Sequence, residues 1–302
     1  MAGGDKTFLL GVGSQKCGTT WLSRYLRSFD FADFGICEEY HVWDGVADPT
    51  WTKFSIARKA RPLSLRVKDA FTFNLRPRHV RARMQADEGY YFQYFADALA
   101  PSAIRLTGDI TPTYTSLPAE TYARILRGFA ERGIAVKAVL LIRDPVERCW
   151  SSVRMHRRKG RDSESVEIAL GDEGALRGYF RSPHARSLTR YDETIRHLEA
   201  ALPAESLHVG VFESMFDAAS IDRLSGFLGV PAQHDRGELV INRTPKQSEI
   251  SEALVSEIVH EYAEVYRYCA ERFPETAERW RGFRYLEAAP PGAGRSGGSA
   301  GD

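Results

Sequence analysis

Cysteine is scarce in this chain. Four thiols, Cys17, Cys37, Cys149 and Cys269, are scattered over 302 residues with no CxxC pair and no metal-ligand spacing. A disulfide scaffold and a zinc module are thereby excluded, no metal is expected, and reduced thiols in a cytoplasmic protein are the expectation. Long apolar runs are also missing: nothing approaches the ~18 residues of a membrane span. Only the short stretch Phe8–Val12 follows Lys6, so no signal peptide is expected. Charge of one sign is lacking too, with 41 Lys+Arg against 40 Asp+Glu. Such balance argues against a dedicated nucleic-acid binder and leaves room for a local basic site that takes an anion. No internal repeat occurs. What is present is apolar content of 43%, enough for a sizeable core in a chain of this length.

The apolar segments alternate in character along the chain. Thr7–Val12 reads as a buried strand. It runs into the small and polar turn Gly13–Gly18 and then into a helix with Trp21, Leu22, Tyr25 and Leu26 on one face, capped by Thr19 or Thr20. Phe34–Cys37 and Ile104–Asp109 are further candidate strands, and residues 39–83 are irregular. Val136–Ile142 is a continuous apolar run, as at the centre of a parallel sheet. Pro145 fits the first turn of the helix that follows it. Gly89–Leu99, Pro118–Arg132, Thr189–Leu202 and Ile221–Leu228 read as helices, Leu207–Phe212 as a strand and Glu249–Phe273 as one long helix. Arg161–Gly178 is a polar excursion. Strands alternating with helices predict an α/β, P-loop-like three-layer fold with a central parallel sheet flanked by helices. One domain is expected over residues 1–287, with a disordered Pro/Gly/Ser-rich tail at 288–302.

The turn Gly13-Ser14-Gln15-Lys16-Cys17-Gly18-Thr19-Thr20-Trp21 joins a strand to a helix N-terminus, where backbone N–H groups meet anions. Its glycines permit close approach, Lys16 adds a point charge, and Thr19 and Thr20 add hydroxyls. It is not a Walker A loop, which needs Gly-Lys directly before Ser or Thr. Taken alone, an ordinary Gly-rich turn is an equal reading. Arg143 stands at the carboxyl end of the strongest strand, where open α/β sheets bind ligands, and Ser151 follows eight residues later. Together they suit a phosphate. A structural salt bridge from Arg143 to Asp144 or Glu147 is the competing reading.

Both segments resemble motifs of one family. GSQKCGTTWL is similar to the 5′-phosphosulfate loop of the sulfotransferases that use 3′-phosphoadenosine 5′-phosphosulfate (PAPS), and LLIRDPVERCWSS to their 3′-phosphate-binding strand and helix. The resemblance covers about residues 7–285 and is weak in the middle. It implies PAPS as the sulfuryl donor, with Ser14 to Trp21 at the 5′ end and Arg143 and Ser151 at the 3′ end. Arg243 and Lys246 would lie in a late basic loop. Trp21 either borders the adenine or belongs to the core.

Cys37-Glu38-Glu39-Tyr40-His41-Val42-Trp43-Asp44 resembles the "E-V-H-F-F-D" stretch of heparan-type and other Golgi members. The resemblance makes Glu39 the general base, with Lys16 steadying the leaving phosphate. His41 is the alternative base and Asp44 their companion. Thr107–Tyr114 resembles the family's "E-K-[ST]-P-x-Y" segment, and the two resemblances together put Asp44, Asp109 and Tyr114 near the acceptor. Ile110 stands where glycosaminoglycan-modifying members have lysine, which counts against such an acceptor. The expected partner is therefore a small-molecule or glycan acceptor of unspecified identity, and nothing in the sequence fixes an oligomeric state. Arg76, Arg78, Arg81 and Arg83, and again Arg154, Arg157, Arg158 and Lys159, read first as solvated helix faces and second as a rim for an anion. Trp43, Trp51, Phe71, Phe73 and the run Tyr90–Phe95 read first as core and second as an acceptor pocket. The alternatives to a sulfotransferase are a P-loop kinase or NTP hydrolase, and a binding module that lacks chemistry.

Overall fold

The computed structural model describes residues 6–47, 76–160, 166–238 and 249–286. Arg243, Lys246, Trp51, Phe71, Phe73 and the tail 288–302 lie outside the described residues. The chain divides into two compact units, Met1–Ile142 with Glu193–Ile241, and Arg143–Asp192 with Asn242–Asp302.

The first unit is built on β1, Thr7–Gly13, which is buried along its whole length. Such a strand needs neighbours on both sides and cover on both faces. It pairs in parallel with β2, Leu106–Ile110, and with β3, Ala135–Ile142. β4, Leu207–Val211, adds to β3, giving the order β2-β1-β3-β4, all parallel. The chain steps from β1 to one side and then, through β3, to the other. The carboxyl ends of β1 and β3 therefore flank the point where the strand order reverses, the place where open α/β sheets form their ligand crevice.

Helices cover this sheet. α1, Thr19–Arg27, follows the β1 turn and buries Trp21, Leu22, Tyr25 and Leu26. The short α2, Trp43–Ala47, and then α3, Pro77–Ala86, occupy part of the region expected to be irregular. α4, Glu88–Ala98, and α5, Ala119–Ala130, pack aromatic rings against β1: Phe8 stacks on Phe129 at 3.8 Å and meets Phe95 edge-on at 4.9 Å.

In the second unit α6, Pro145–Lys159, is capped by Asp144, whose carboxylate accepts from Val146 N (2.9 Å), Tyr266 OH (2.7 Å) and Gly282 N (3.0 Å). Burial pushes the Asp144 carboxyl up and these bonds pull it back, the first effect being the larger. α7, Gly171–Phe180, and α8, Pro183–Ser187, follow, and α9, Tyr191–Ala201, leads back to the first unit, which α10, Ala218–Leu228, also covers.

Several expectations need correction. Phe34–Cys37 is not a strand. One bridge, Ala32 to Leu106, touches the sheet, and the chain then turns where Asp33 Oδ1 accepts from Gly35 N (2.8 Å) and Gly35 takes φ +62°. Part of the polar excursion after Arg161 is helical, as α7. The long helix over Glu249–Phe273 is two helices, α11, Glu252–Glu261, and α12, Ala263–Arg272, with α13, Glu275–Arg279, beyond. The break falls at Tyr262, whose φ of −108° leaves the helical range while its hydroxyl is tied to Phe180 O at 2.5 Å. No helix among the described residues is long and apolar enough to cross a membrane.

Candidate active site

The turn after β1 is anchored from within the sheet. Ser14 N donates to Leu141 O on β3 (2.8 Å) and Cys17 N to Ser14 O (3.1 Å), which curls the chain over the strand end. Positive φ values at Gly13 (136°), Lys16 (73°) and Gly18 (100°) complete the curl. Alternation of left- and right-handed residues turns successive amides toward one side and forms an anion-binding concavity. Gly18, not Thr19 or Thr20, is the cap of α1, with no side-chain cap bond, and α1 has no acidic residue in its first turn. Within α1 itself, no acidic side chain offsets the positive end of the helix. Ser14 and Cys17 are buried, whereas Gln15, Lys16, Gly18 and Thr20 are partly exposed. Trp21 is core: it stacks on Tyr25 at 4.9 Å and donates to Arg236 O at 2.9 Å.

Gly18 admits no replacement without strain. A Cβ there would lie 2.6 Å from Met215 Sδ, at a φ side chains rarely adopt. Gly18→Ala is expected to cost about 1–3 kcal/mol, with the melting temperature falling by ~2–4 °C for each. Differential scanning calorimetry checks this, and an unchanged transition would mean that the turn tolerates other geometries.

Glu39, His41 and Asp44 come together as a row. His41 Nε2 lies 3.0 Å from Glu39 Oε2 and Nδ1 lies 2.8 Å from Asp44 Oδ2. Thr113 Oγ1 donates to the same Asp44 oxygen at 2.5 Å. His41 is 3% exposed and Asp44 4%, while Glu39 is 44% exposed. Burial lowers the basicity of the His41 imidazole, but the hydrogen bonds it donates to Asp44 and Glu39 and their charges prevail, and its pKa is raised to about 9. The ring is thus held as an imidazolium between two carboxylates.

Beneath this row lies a second layer that sequence reasoning assigned to the acceptor. Asp109 and Tyr114 are fully buried. Asp109 accepts from Thr111 Oγ1 (2.6 Å), Tyr114 OH (2.7 Å) and Tyr91 OH (3.2 Å). Burial drives its carboxyl up to about 6 against the pull of the Thr111 and Tyr114 bonds. The same two hydroxyls accept in turn from the main chain above. Thr111 Oγ1 receives Tyr40 N (3.1 Å) and Tyr114 OH receives Val42 N (3.1 Å). Both residues therefore brace the segment carrying Glu39 and His41 from inside the protein. Buried amides need such partners, and this segment has no regular secondary structure to supply them.

The turn and the row share a support. Pro112–Ser116 is a 3₁₀ turn carrying Thr113 and Tyr114, and a Cβ on Gly13 would strike Pro112 O and Thr115 Cγ2. The start of the turn after β1 thus rests on the element that holds Asp44. Sequence reasoning missed Thr113, and it read Arg81 as a solvated cation, although Arg81 reaches the main chain of Glu39 and Tyr40. Trp43 is core, edge-on to Tyr91 at 5.2 Å.

In the second unit Arg143 follows β3 directly. Its guanidinium stands 3.6 Å from Glu147, the competing salt bridge foreseen from sequence, and both side chains are 15% exposed. Ser151 lies on α6 and is partly exposed.

No family model matches the sequence, and no curated protein matches it. Among solved structures, a sulfotransferase from Alicyclobacillus acidocaldarius matches with a TM-score of 0.55 at 20% identity, over 89% of this chain and 96% of that one. The sulfotransferase domain of the Synechococcus PCC 7002 olefin synthase (TM-score 0.43, 17% identity, 84% of this chain and 86% of that one) is more distant. So is that of the curacin biosynthetic pathway (0.44, 21%, 77% and 76%). The likeness to the Alicyclobacillus acidocaldarius enzyme establishes the fold: this chain has the P-loop-like α/β architecture of a sulfotransferase.

Proposed function

We propose that the protein is a PAPS-dependent sulfotransferase that sulfates a hydroxyl or amine of a small-molecule or glycan acceptor, with Glu39 as the general base. The observation that carries the choice of base is the contrast in exposure within one row. His41 has both ring nitrogens engaged by carboxylates and is 3% exposed, whereas Glu39 is 44% exposed. An acceptor arriving from solvent meets the Glu39 carboxylate first. The bound donor supplies a sulfuryl group on a phosphate that leaves as charge develops on it.

The turn suits such a donor: it is short, rich in positive φ, carries Lys16 and leads into a helix end without acids. Lys16 and the turn amides would hold the phosphosulfate end and steady the leaving phosphate. Arg143 and Ser151 would hold the 3′-phosphate, on the strength of the sequence motif. Arg243 and Lys246 are assigned to the same nucleotide by the motif alone. Glu39 takes the acceptor proton as the new S–O or S–N bond forms. His41, fixed by Asp44 and Thr113, aligns the Glu39 carboxylate.

Calorimetry with 3′-phosphoadenosine 5′-phosphate (PAP), the product nucleotide, tests the proposal. Wild type is expected to bind, and Arg143→Ala to bind about 10–100-fold more weakly, the worth of one charge-assisted contact. No binding by wild type, or Mg²⁺-dependent ATP turnover in its place, would end it.

A further inference from the structure

The segment carrying Glu39 and His41 lacks the hydrogen-bonding of a helix or strand, yet three of its consecutive carbonyls are captured from one side. Arg81 Nε donates to Tyr40 O at 2.7 Å and Arg81 Nη2 to Glu39 O at 2.7 Å. Gln85 Nε2 donates to His41 O at 2.5 Å. Arg81 and Gln85 are four residues apart on α3 and so share a face of that helix.

Extended chain cannot present its carbonyls in this way, because successive ones point to opposite sides. The segment bends, and His41 takes φ +50°, a conformation that a non-glycine side chain adopts only when its surroundings enforce it. From the opposite side Thr111 and Tyr114 hold the amides of Tyr40 and Val42. The amides are thus fixed from the residues that follow β2 and the carbonyls from α3. The neighbouring arginines of α3 do not do this: Arg78 and Arg83 are exposed, and Arg83 lies over the Tyr90 ring at 3.8 Å.

We infer that Arg81 and Gln85 are positioning residues for the general base: α3 acts as a clamp that sets the aim of Glu39 toward the acceptor and of His41 toward Glu39. The inference rests on the role proposed for Glu39. The Arg81 fork is the principal element, since a planar guanidinium bridges two carbonyls and an ammonium does not.

The test compares Arg81→Ala, Arg81→Lys and Gln85→Leu with wild type and with Arg83→Ala as the exposed control. Initial rates with PAPS and a turned-over acceptor give kcat, and calorimetry gives PAP affinity. Arg81→Ala is expected to lose about 10–100-fold in kcat, the range for a misaligned base. PAP affinity is expected to stay within twofold, Arg81→Lys to remain impaired, and Arg83→Ala to match wild type. Added guanidinium at millimolar concentration is expected to restore part of the Arg81→Ala rate, an effect that general destabilisation would not give. A kcat within twofold of wild type overturns the clamp, as does loss of rate with equal loss of PAP affinity and no rescue.

An activity-independent measurement separates this inference from the sulfotransferase proposal. NMR titration of the His41 imidazole is expected to give a value near 9 in wild type, and a lower one in Arg81→Ala and Gln85→Leu as Glu39 loses alignment. If wild type fails to use PAPS, the titration still decides. Equal values in wild type and both variants would refute the clamp.

Discussion

Glu39→Gln is expected to lower kcat by about 10²–10⁴-fold while leaving PAP affinity within twofold. The range is that of a lost general base. Glutamine keeps the size and the oxygen that faces His41 but cannot accept the acceptor's proton. The effect should therefore fall on kcat and spare nucleotide binding. Equal activity in Glu39→Gln would pass the role to another group, with His41 next in line.

The pH profile sharpens the point. His41 is raised from 6.5 to about 9 by its two carboxylates in spite of burial. Its charged form is the one favoured by folding, so the stabilisation it provides is fully present below about pH 6.5 and is lost as pH rises through about 9. The same proton loss releases Glu39 from its partner, and the rate should fall on that alkaline limb. Asp44→Asn, which removes one carboxylate, is expected to move the limb to lower pH. Stopped assays from pH 6 to 10 check both, and a limb that stays in place would mean that His41 is not the titrating group.

Lys16→Ala is the second large effect. A cation that meets charge developing on a leaving group contributes most in the transition state, and the loss of such a group costs about 10²–10³-fold in kcat. Lys16 also sits at φ +73°, where alanine is no more comfortable than lysine, so the turn itself should not be relieved or further strained. Single-turnover rates with labelled PAPS separate chemistry from product release. Unchanged turnover would remove Lys16 from the chemistry and leave it a binding residue at most.

Much of the molecule was legible in the chain. β1 and β3 are continuous apolar runs, and a strand buried on both faces has to read that way. The turn between β1 and α1 showed itself through its glycines and Lys16, whereas Glu39, His41 and Asp44 were picked out by the resemblance of their segment to a family motif. Three things were not legible. Phe34–Cys37 looked like a strand because its residues are apolar, but the Asp33–Gly35 turn governs it. Tyr262 carries no breaker signature, and its tertiary tie to Phe180 interrupts what helical periodicity alone would extend. Arg81 has no pattern that distinguishes it from Arg78 or Arg83. Its role exists only because Glu39 and Tyr40, some forty residues earlier, present their carbonyls to it.

The layer under the site has a directional consequence. An ionised Asp109 is acceptor-only, so the Thr111 and Tyr114 hydrogens point down to it and their lone pairs face the amides above. Asparagine at position 109 would offer hydrogens of its own and let that orientation reverse, and phenylalanine at 114 would strand an amide while filling nearly the same volume. Shape alone therefore does not specify this floor: it is a one-way arrangement of protons, and a sequence that preserved every contour but not the donors would aim the carboxylate elsewhere.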